Sequence, residues 1–338
     1  MAIPETSGPA GGGETGVRLP DSDRELLMAL QYRFPLTATP FEGVAELLHR
    51  SESEVLRDTE RLLRHHVIKR IGFNVNFKTY GMEGALVGVA CSPEGVPRLR
   101  DALFPLDVVT HNYVRSHPDY RVWFTYKAAS ENSLLLEVEH LLRSLGLQRY
   151  VVLRSRRTYA VRVKFDLERG VSRSPEPLSR YVLPMTVPQA ESLGIPRDLL
   201  EGLGEGIPPV HEPYREVLQR AGWNVGQLEE GLPRWLDAGI LRNGGATLRG
   251  PVVGFTHNAM FVFRTQDLEQ TCERLAYRVP EATHVVLREV LHGDWTRPGY
   301  IMLHGTSRQK VEETADRVAA EAGIFDHELI FSLQNLKP

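Results

Sequence analysis

Cysteine is nearly absent: Cys91 and Cys272 are the only two in 338 residues. They lie far apart and form no CxxC, which excludes a disulfide framework and a thiolate zinc site and suits a reducing cytoplasm. No apolar run approaches the roughly 18 residues of a membrane span, and the N-terminus lacks the apolar centre of a signal peptide, so a soluble cytoplasmic protein without a membrane partner is expected. Neither sign of charge dominates. Lys and Arg total 40 against 43 Asp and Glu, a net charge of -3, which excludes a general basic coat for nucleic acid but not local basic patches. HExxH, GxSxG and GxxxxGK are all missing, so metalloprotease, serine-hydrolase and nucleotide-triphosphate chemistry have no support.

What is present is a duplication. Residues 1–18, with Gly11, Gly12 and Gly13 and no apolar periodicity, are expected to form a disordered tail. Over 19–80, Leu26, Leu27 and Leu30, then Val44, Leu47 and Leu48, then Val55, Leu56, Thr59, Leu62 and Leu63 recur at helical spacing. Ser51 and Glu54 predict a capping box at the third helix, and the β-branched stretch 67–72 reads as the wing of a winged helix-turn-helix. Over 81–170, alternating and helical periods give strand 85–91, helix 96–104, strands 107–115 and 120–126, helix 130–145 and strand 147–153, the βαββαβ order of a ferredoxin-like unit. The alternating run 161–165 is expected to extend that sheet. Residues 171–188, with Pro175, Pro177, Pro184 and Pro188, have a linker's composition. A degenerate winged helix-turn-helix over 189–253 and a second βαββαβ unit over 254–338 then repeat the first half at a period of about 160 residues. The expected fold class is therefore α+β, a tandem winged helix-turn-helix plus ferredoxin-like βαββαβ repeat, an order that resembles the AsnC/Lrp class.

That architecture raises DNA binding first, because the third helix would face phosphates and base edges. Here it carries Glu52, Glu54, Asp58 and Glu60 against Arg57, Arg61 and Arg64, and its counterpart has Glu229 and Glu230 with Pro233, which should break the helix. No specific nucleic-acid partner is expected.

The richest stretch is 110–125. As a hairpin turning at 116–119, it sets His111, Tyr113 and Arg115 on one face, with His117, Tyr120 and Trp123 close in sequence. Imidazole, phenol and guanidinium together suit a large, flat polycarboxylate, since Arg pairs carboxylates in bidentate fashion, aromatic side chains pack on a ring, and neutral imidazole ligates iron or moves protons. Taken singly, Tyr113 and Trp123 also read as sheet packing and His111 as a core histidine. Between Arg115 and Lys164 stand ten Lys or Arg but four acids, with Arg154, Arg156 and Arg157 clustered. The second half offers His257, Asn258, His284, Arg288, Tyr300 and His304, and His284 precedes Arg288 by the same spacing as His111 precedes Arg115.

His111-Asn112-Tyr113 with Arg115, Tyr120 and Val122-Trp123-Phe124-Thr125 resembles the "HNYxR…YNxWFT" signature of siroheme decarboxylases. Gly254-Phe255-Thr256 with Asn258-Ala259-Met260 is similar to their "GFTxNAM" strand, and Tyr300, Met302, His304 and Gly305 to "YxMxHG". The chain looks like a fused two-subunit form, similar to the D and L proteins of haem d1 biosynthesis. It departs from the pattern at Arg121, Ala160, His257, Asn335 and 297–299, so one half is catalytic and the other architectural on one reading of these changes.

The resemblance implies loss of CO2 from two acetates of siroheme, giving 12,18-didecarboxysiroheme in haem d1 or alternative haem biosynthesis. The macrocycle is then the electron sink and no further cofactor is required. It implies His111, His117 and Tyr113 as catalytic residues, and His111 or His284 as axial ligand of the substrate iron. Arg115, Tyr120, Trp123, Arg154, Arg156, His257, Asn258, His284, Arg288, Tyr300 and His304 are the implied substrate-binding residues. The expected assembly is an internal pseudo-dimer, with a homodimer and other tetrapyrrole-pathway enzymes as further partners. A haem- or siroheme-responsive regulator and a tetrapyrrole carrier are the rival readings.

Overall fold

The computed structural model describes residues 19–337, and the tail expected over 1–18 lies outside them. The first helical unit comprises α1 (Asp21–Tyr32), α2 (Pro40–Leu48) and α3 (Glu52–Arg64), followed by strand β1 (Ile68–Val75). Ser51 caps α3 as its spacing predicts: its hydroxyl accepts from the Glu54 N–H, and the Glu54 carboxylate accepts from the Ser51 N–H at 3.0 Å. Next come β2 (Glu83–Val89), α4 (Val96–Leu103), β3 (Val109–Arg115), β4 (Val122–Ala128), α5 (Glu131–Ser144) and β5 (Tyr150–Val161). Two short strands, β6 (Phe165–Asp166) and β7 (Val171–Ser172), lead to α6 (Arg197–Glu205), α7 (Arg215–Ala221), α8 (Val225–Asp237) and β8 (Leu241–Leu248). The second βαββαβ unit is β9 (His257–Arg264), α9 (Leu268–Arg278), β10 (His284–His292), β11 (Gly299–Gly305), α10 (Arg308–Ala322) and β12 (Asp326–Asn335).

The two units share one closed barrel. Strand order is β10-β5-β2-β4-β3-β12-β9-β11, and β11 pairs back onto β10, every ladder being antiparallel. The second strand of each unit pairs with the last strand of the other, so both open edges of a lone unit are consumed by its twin. Equivalent strands stand opposite one another in this ring, which puts the pseudo-two-fold along the barrel axis. Outside the barrel, α4 and α5 cover Val87, Val122 and Phe124, and α9 and α10 cover Phe261, Phe263 and Ile301. Inside, Leu86, Trp123, Val151, Leu153, Met260, Val262, Val286 and Ile330 fill much of the lumen.

Four local expectations change. The wing is not a hairpin within either half: β1 pairs with β8 of the other half, Ile71 opposite Ala246 and Phe73 opposite Gly244, and both helical units share one core. Pro233 does not break α8, because Leu228, Leu232 and Trp235 anchor one face of the helix while Pro233 lies on the solvent side, where water can satisfy the carbonyl it frees. The stretch 161–165 enters the sheet in two pieces rather than as one alternating strand, Val161 ending β5 opposite His284 and Phe165 opening β6. β5 stops at Val161, and Arg162 turns fully inside, donating to Ser174 Oγ at 2.7 Å and the Leu178 carbonyl at 2.9 Å. Those bonds also dock the proline-rich segment 171–188, whose Val171 pairs with Gly305 and whose Leu178 and Leu183 are buried, so it is woven into the fold rather than free.

Candidate active site

β3 carries a bulge where it matters. Its register with β4 jumps from Val109 opposite Tyr126 to Asn112 opposite Phe124, leaving Thr110 and His111 against Thr125. The Thr125 hydroxyl accepts the His111 N–H at 3.2 Å and lies 2.8 Å from the Thr110 hydroxyl. Such an extra residue re-aims a side chain. Val109 and Val114 stay in the helix-side core, while His111, Tyr113 and Arg115 take the lumen face. On β10 the same alternation turns His284, Val286 and Arg288 inward, and β11 adds Tyr300, Met302 and His304. The Arg115 guanidinium lies 5.0 Å from the Tyr113 ring and that of Arg288 lies 4.7 Å from the Tyr300 ring. His111 and Tyr113 have ring centroids 6.5 Å apart, His284 and Tyr300 5.8 Å.

Because the pseudo-two-fold follows the barrel axis, His111 and His284 open the same mouth, and Lys127 on β4 and His304 on β11 reach it from the other strand ends. The wing sheet lies over that mouth: Arg242 of β8 and Lys127 both stack on Phe77, at 5.4 and 5.5 Å.

The chamber is cationic throughout. Burial, then Arg115, Lys127 and Lys69, push the His111 imidazole down to about 4. Burial, then Arg288, Arg242, His111 and His304, take His284 down to about 3, and burial with Arg115 and His111 takes His304 to about 4. Burial also lowers Arg115, and lowers Arg288 and Arg242 to about 10. The largest charges acting on these groups come from other cations, imidazoles and tyrosines, and among the described residues none of them forms an ion pair with a carboxylate. His111 is nevertheless open to solvent, and His284 and His304 partly so, as expected of groups ringed by protein at an open barrel mouth. Arg115 Nε and Nη1, Arg288 Nε, Arg242 Nε and His304 Nδ1 are buried without an acceptor or donor. A buried, unpaired guanidinium costs several kcal/mol, which an anionic ligand would offset.

Other predicted residues lie elsewhere. His117 is at the opposite mouth, about 20 Å from His111 at the rise of a strand. Its Nδ1 accepts from the Asp119 and Tyr120 N–H groups at 3.1 and 3.0 Å, holding the hairpin turn, and its ring packs on Tyr120 and Trp295 beside a separate cavity of about 530 Å³. Tyr120 and Trp123 belong to that end; the Trp123 Nε1–H donates to the Tyr120 carbonyl at 2.7 Å. Arg154 stands opposite Ala85 on the outer face and is ion-paired to Glu131 and Glu289, and Arg156 pairs with Glu269 at 2.7 Å. Neither reaches the lumen. His257 alternates with Ala259 and Phe261 of the helix-side core and so faces outward, whereas Asn258, opposite His304, turns inward and accepts from Ser332.

Sequence reasoning passed over Lys127, Arg242, Phe77 and Lys69. The repeat held a signal for one of them: Trp123 pairs with Tyr113 as Tyr300 pairs with Val286, so Lys127 is the counterpart of His304. Arg242 carried none, since only the wing exchange brings it here. Among the described residues no three His, Cys, Asp or Glu side chains are placed to hold a metal ion, and no helix is long and apolar enough to cross a membrane.

This geometry fits the relatives the chain has. The AsnC-like ligand binding domain model matches residues 79–160 and 252–337, and the siroheme decarboxylase NirDL-like HTH domain model matches 23–69. The siroheme decarboxylase of Hydrogenobacter thermophilus is 23% identical over 316 residues, 93% of this chain and 92% of that one. The siroheme decarboxylase beta subunit of Desulfovibrio desulfuricans is 30% identical over 132 residues, 39% of this chain and 83% of the subunit. In fold, the chain is similar to a crystal structure of the siroheme decarboxylase NirDL in co-complex with an iron-uroporphyrin III analogue, at a TM-score of 0.62 and 21% identity, covering 93% of this chain and 91% of that one. With a helix-turn-helix model and two AsnC-like domains matched in chain order, and a subunit relative matched along most of its length, this chain belongs to the siroheme decarboxylase family.

Proposed function

We propose that the protein is a siroheme decarboxylase, a carboxy-lyase that removes CO2 from two acetate side chains of siroheme to give 12,18-didecarboxysiroheme. The observation that carries this reading is the convergence of two His-x-x-x-Arg sets, His111 with Arg115 and His284 with Arg288, on one barrel mouth where, among the described residues, neither buried guanidinium is ion-paired. Arg115 and Arg288 are anchors for carboxylates of the macrocycle, and Tyr113 and Tyr300, stacked on them, are aromatic walls.

The reaction is redox-neutral: R–CH2–COO⁻ + H⁺ gives R–CH3 + CO2. The bond to the carboxyl carbon breaks, its electron pair passes to the methylene carbon and into the conjugated ring, and a proton completes the methyl group. Conjugation makes the macrocycle its own electron sink, so no other cofactor is required. The proton has a source in the chamber. His111 and His284 are neutral when it is empty, but carboxylates entering beside them raise their proton affinity, so substrate binding itself charges the acid. His111 or His284 is also the axial ligand candidate for the substrate iron. His117, bonded into a turn at the other mouth, is left out of these roles.

The regulator reading loses ground on α3, whose Arg61 is tied to Asp23 at 3.0 Å, whose Asp58 pairs with Arg50, and whose Glu52 contacts His211 of the second half. A cytoplasmic protein acting with other tetrapyrrole-pathway enzymes, the fused chain alone or as a homodimer, completes the proposal. Anaerobic incubation with siroheme and mass analysis of the extracted tetrapyrrole tests it. Stepwise loss of two CO2 is expected, and bound siroheme recovered intact would leave a carrier instead.

A further inference from the structure

Phe77 supports two cations that come from different halves of the chain. Lys127 Nζ, from the barrel strand β4, lies 5.5 Å from the ring centroid, and the Arg242 guanidinium, from the wing strand β8, lies 5.4 Å from it. The ring itself is fixed, because it fills the space a side chain at Gly84 would occupy, 2.8 Å from the Cβ position. Neither cation has a carboxylate partner among the described residues. Arg242 gives Nη2 to Asn76 Oδ1 at 2.8 Å, and its buried Nε has no acceptor. Elsewhere the same protein matches such groups: Arg154, Arg156 and Arg157 each meet a glutamate. Here two like charges face a mouth with no counter-ion, which is unfavourable unless an anion arrives. Their neighbours place them beside the reacting residues, for the Lys127 charge acts on His111 and the Arg242 charge on His284.

We propose that Lys127 and Arg242 form a carboxylate subsite, with Phe77 as its floor, that clamps one side-chain carboxylate of the tetrapyrrole at the barrel mouth. The inference rests on the tetrapyrrole reading above and extends it to a part of the chain that the fold would otherwise assign to DNA recognition. The wing thereby becomes part of the substrate site, and that site is complete only when the second-half wing lies across the first-half barrel strands.

Titration of the full-length protein with iron-uroporphyrin III, followed by its Soret band, tests the subsite in wild type, Lys127→Gln, Arg242→Gln, the double variant and Arg242→Lys. Each single loss of charge should weaken binding about tenfold, the scale of one charge-assisted contact. The double variant should lose less than the product of the singles, because both cations hold one carboxylate. Arg242→Lys should recover part of the affinity, and the unliganded variants should melt at or above the wild-type temperature, since a like-charge pair has been relieved. Single variants that bind within about twofold of wild type would overturn the subsite alone. So would affinity lost together with a lower melting temperature and no rescue by Arg242→Lys, which would make Arg242 a wing-docking residue. A wild-type protein that fails to bind iron-uroporphyrin III would overturn the tetrapyrrole reading and the subsite with it, a different outcome from binding that the substitutions leave intact.

Discussion

Replacing Arg115 with methionine should make the empty protein more stable while weakening its hold on a polycarboxylate. Arg115 is 6% exposed, its Nε and Nη1 have no acceptor, and no side-chain hydrogen bond or ion pair forms among the described residues. Its guanidinium lies 5.0 Å from the Tyr113 ring, a contact worth about 0.5 to 2 kcal/mol. Against this stands a desolvation penalty of several kcal/mol for an unpaired buried charge. Methionine has similar length and no charge to desolvate, so the balance favours the variant by about 1 to 3 kcal/mol. At roughly 2 °C per kcal/mol for a chain of this size, the melting temperature should rise by about 2 to 6 °C. Iron-uroporphyrin III affinity should fall about 10- to 100-fold, the loss of a charge-assisted contact. Arg288→Met should gain less stability, because its Nη1 already donates to the Leu153 carbonyl at 3.1 Å and Ser155 Oγ at 3.3 Å. Urea and thermal unfolding of the unliganded proteins, paired with ligand titration, measure both effects. Destabilisation of Arg115→Met by more than about 1 kcal/mol would show that the guanidinium is a structural group and sink the reasoning.

The chamber histidines give a pH dependence of defined sign: His284 and His304 titrate near 3 and 4 in the folded protein and near 6.5 unfolded. The unfolded chain therefore binds more protons on acidification, so unliganded stability is full above pH of about 6.5 and declines toward about 4; a flat urea midpoint across that window, or one unchanged in slope by His284→Phe, would contradict the burial assigned to these rings. His111→Ala and His284→Ala separate the two imidazole roles by single-turnover rate and absorption spectrum. Loss of a proton donor should cut the rate about 10²- to 10⁴-fold with affinity nearly unchanged, whereas loss of an axial ligand should shift the spectrum and weaken binding; if neither variant changes anything, the acid lies elsewhere. Arg154→Ala should leave ligand affinity within about twofold, because its charge is spent on Glu131 and Glu289 outside the barrel, and a tenfold loss would require Arg154 to reach the lumen.

Much of the fold was legible because it is local. The apolar periods at Leu26 to Leu63, the Ser51–Glu54 cap and the two βαββαβ orders follow from side-chain spacing that each segment carries within itself, and the shared spacing of His111 with Arg115 and of His284 with Arg288 singled out two strands that the fold brings to one barrel mouth. Alternation also told which residues of β3 share a face, so His111, Tyr113 and Arg115 were correctly grouped. Sequence distance misled wherever a strand's length mattered: His117 lies near His111 in the chain but at the far end of the barrel, and the clustered Arg154 and Arg156 face outward to glutamates from other elements. Barrel closure, the exchange of β1 and β8 between halves, and the arrival of Arg242 over Lys127 depend on contacts between residues more than a hundred positions apart. Which of the chain's many cations stay free for a ligand was likewise decided only by the tertiary structure, because a charge is neutralised by what folds against it and not by what precedes it in sequence.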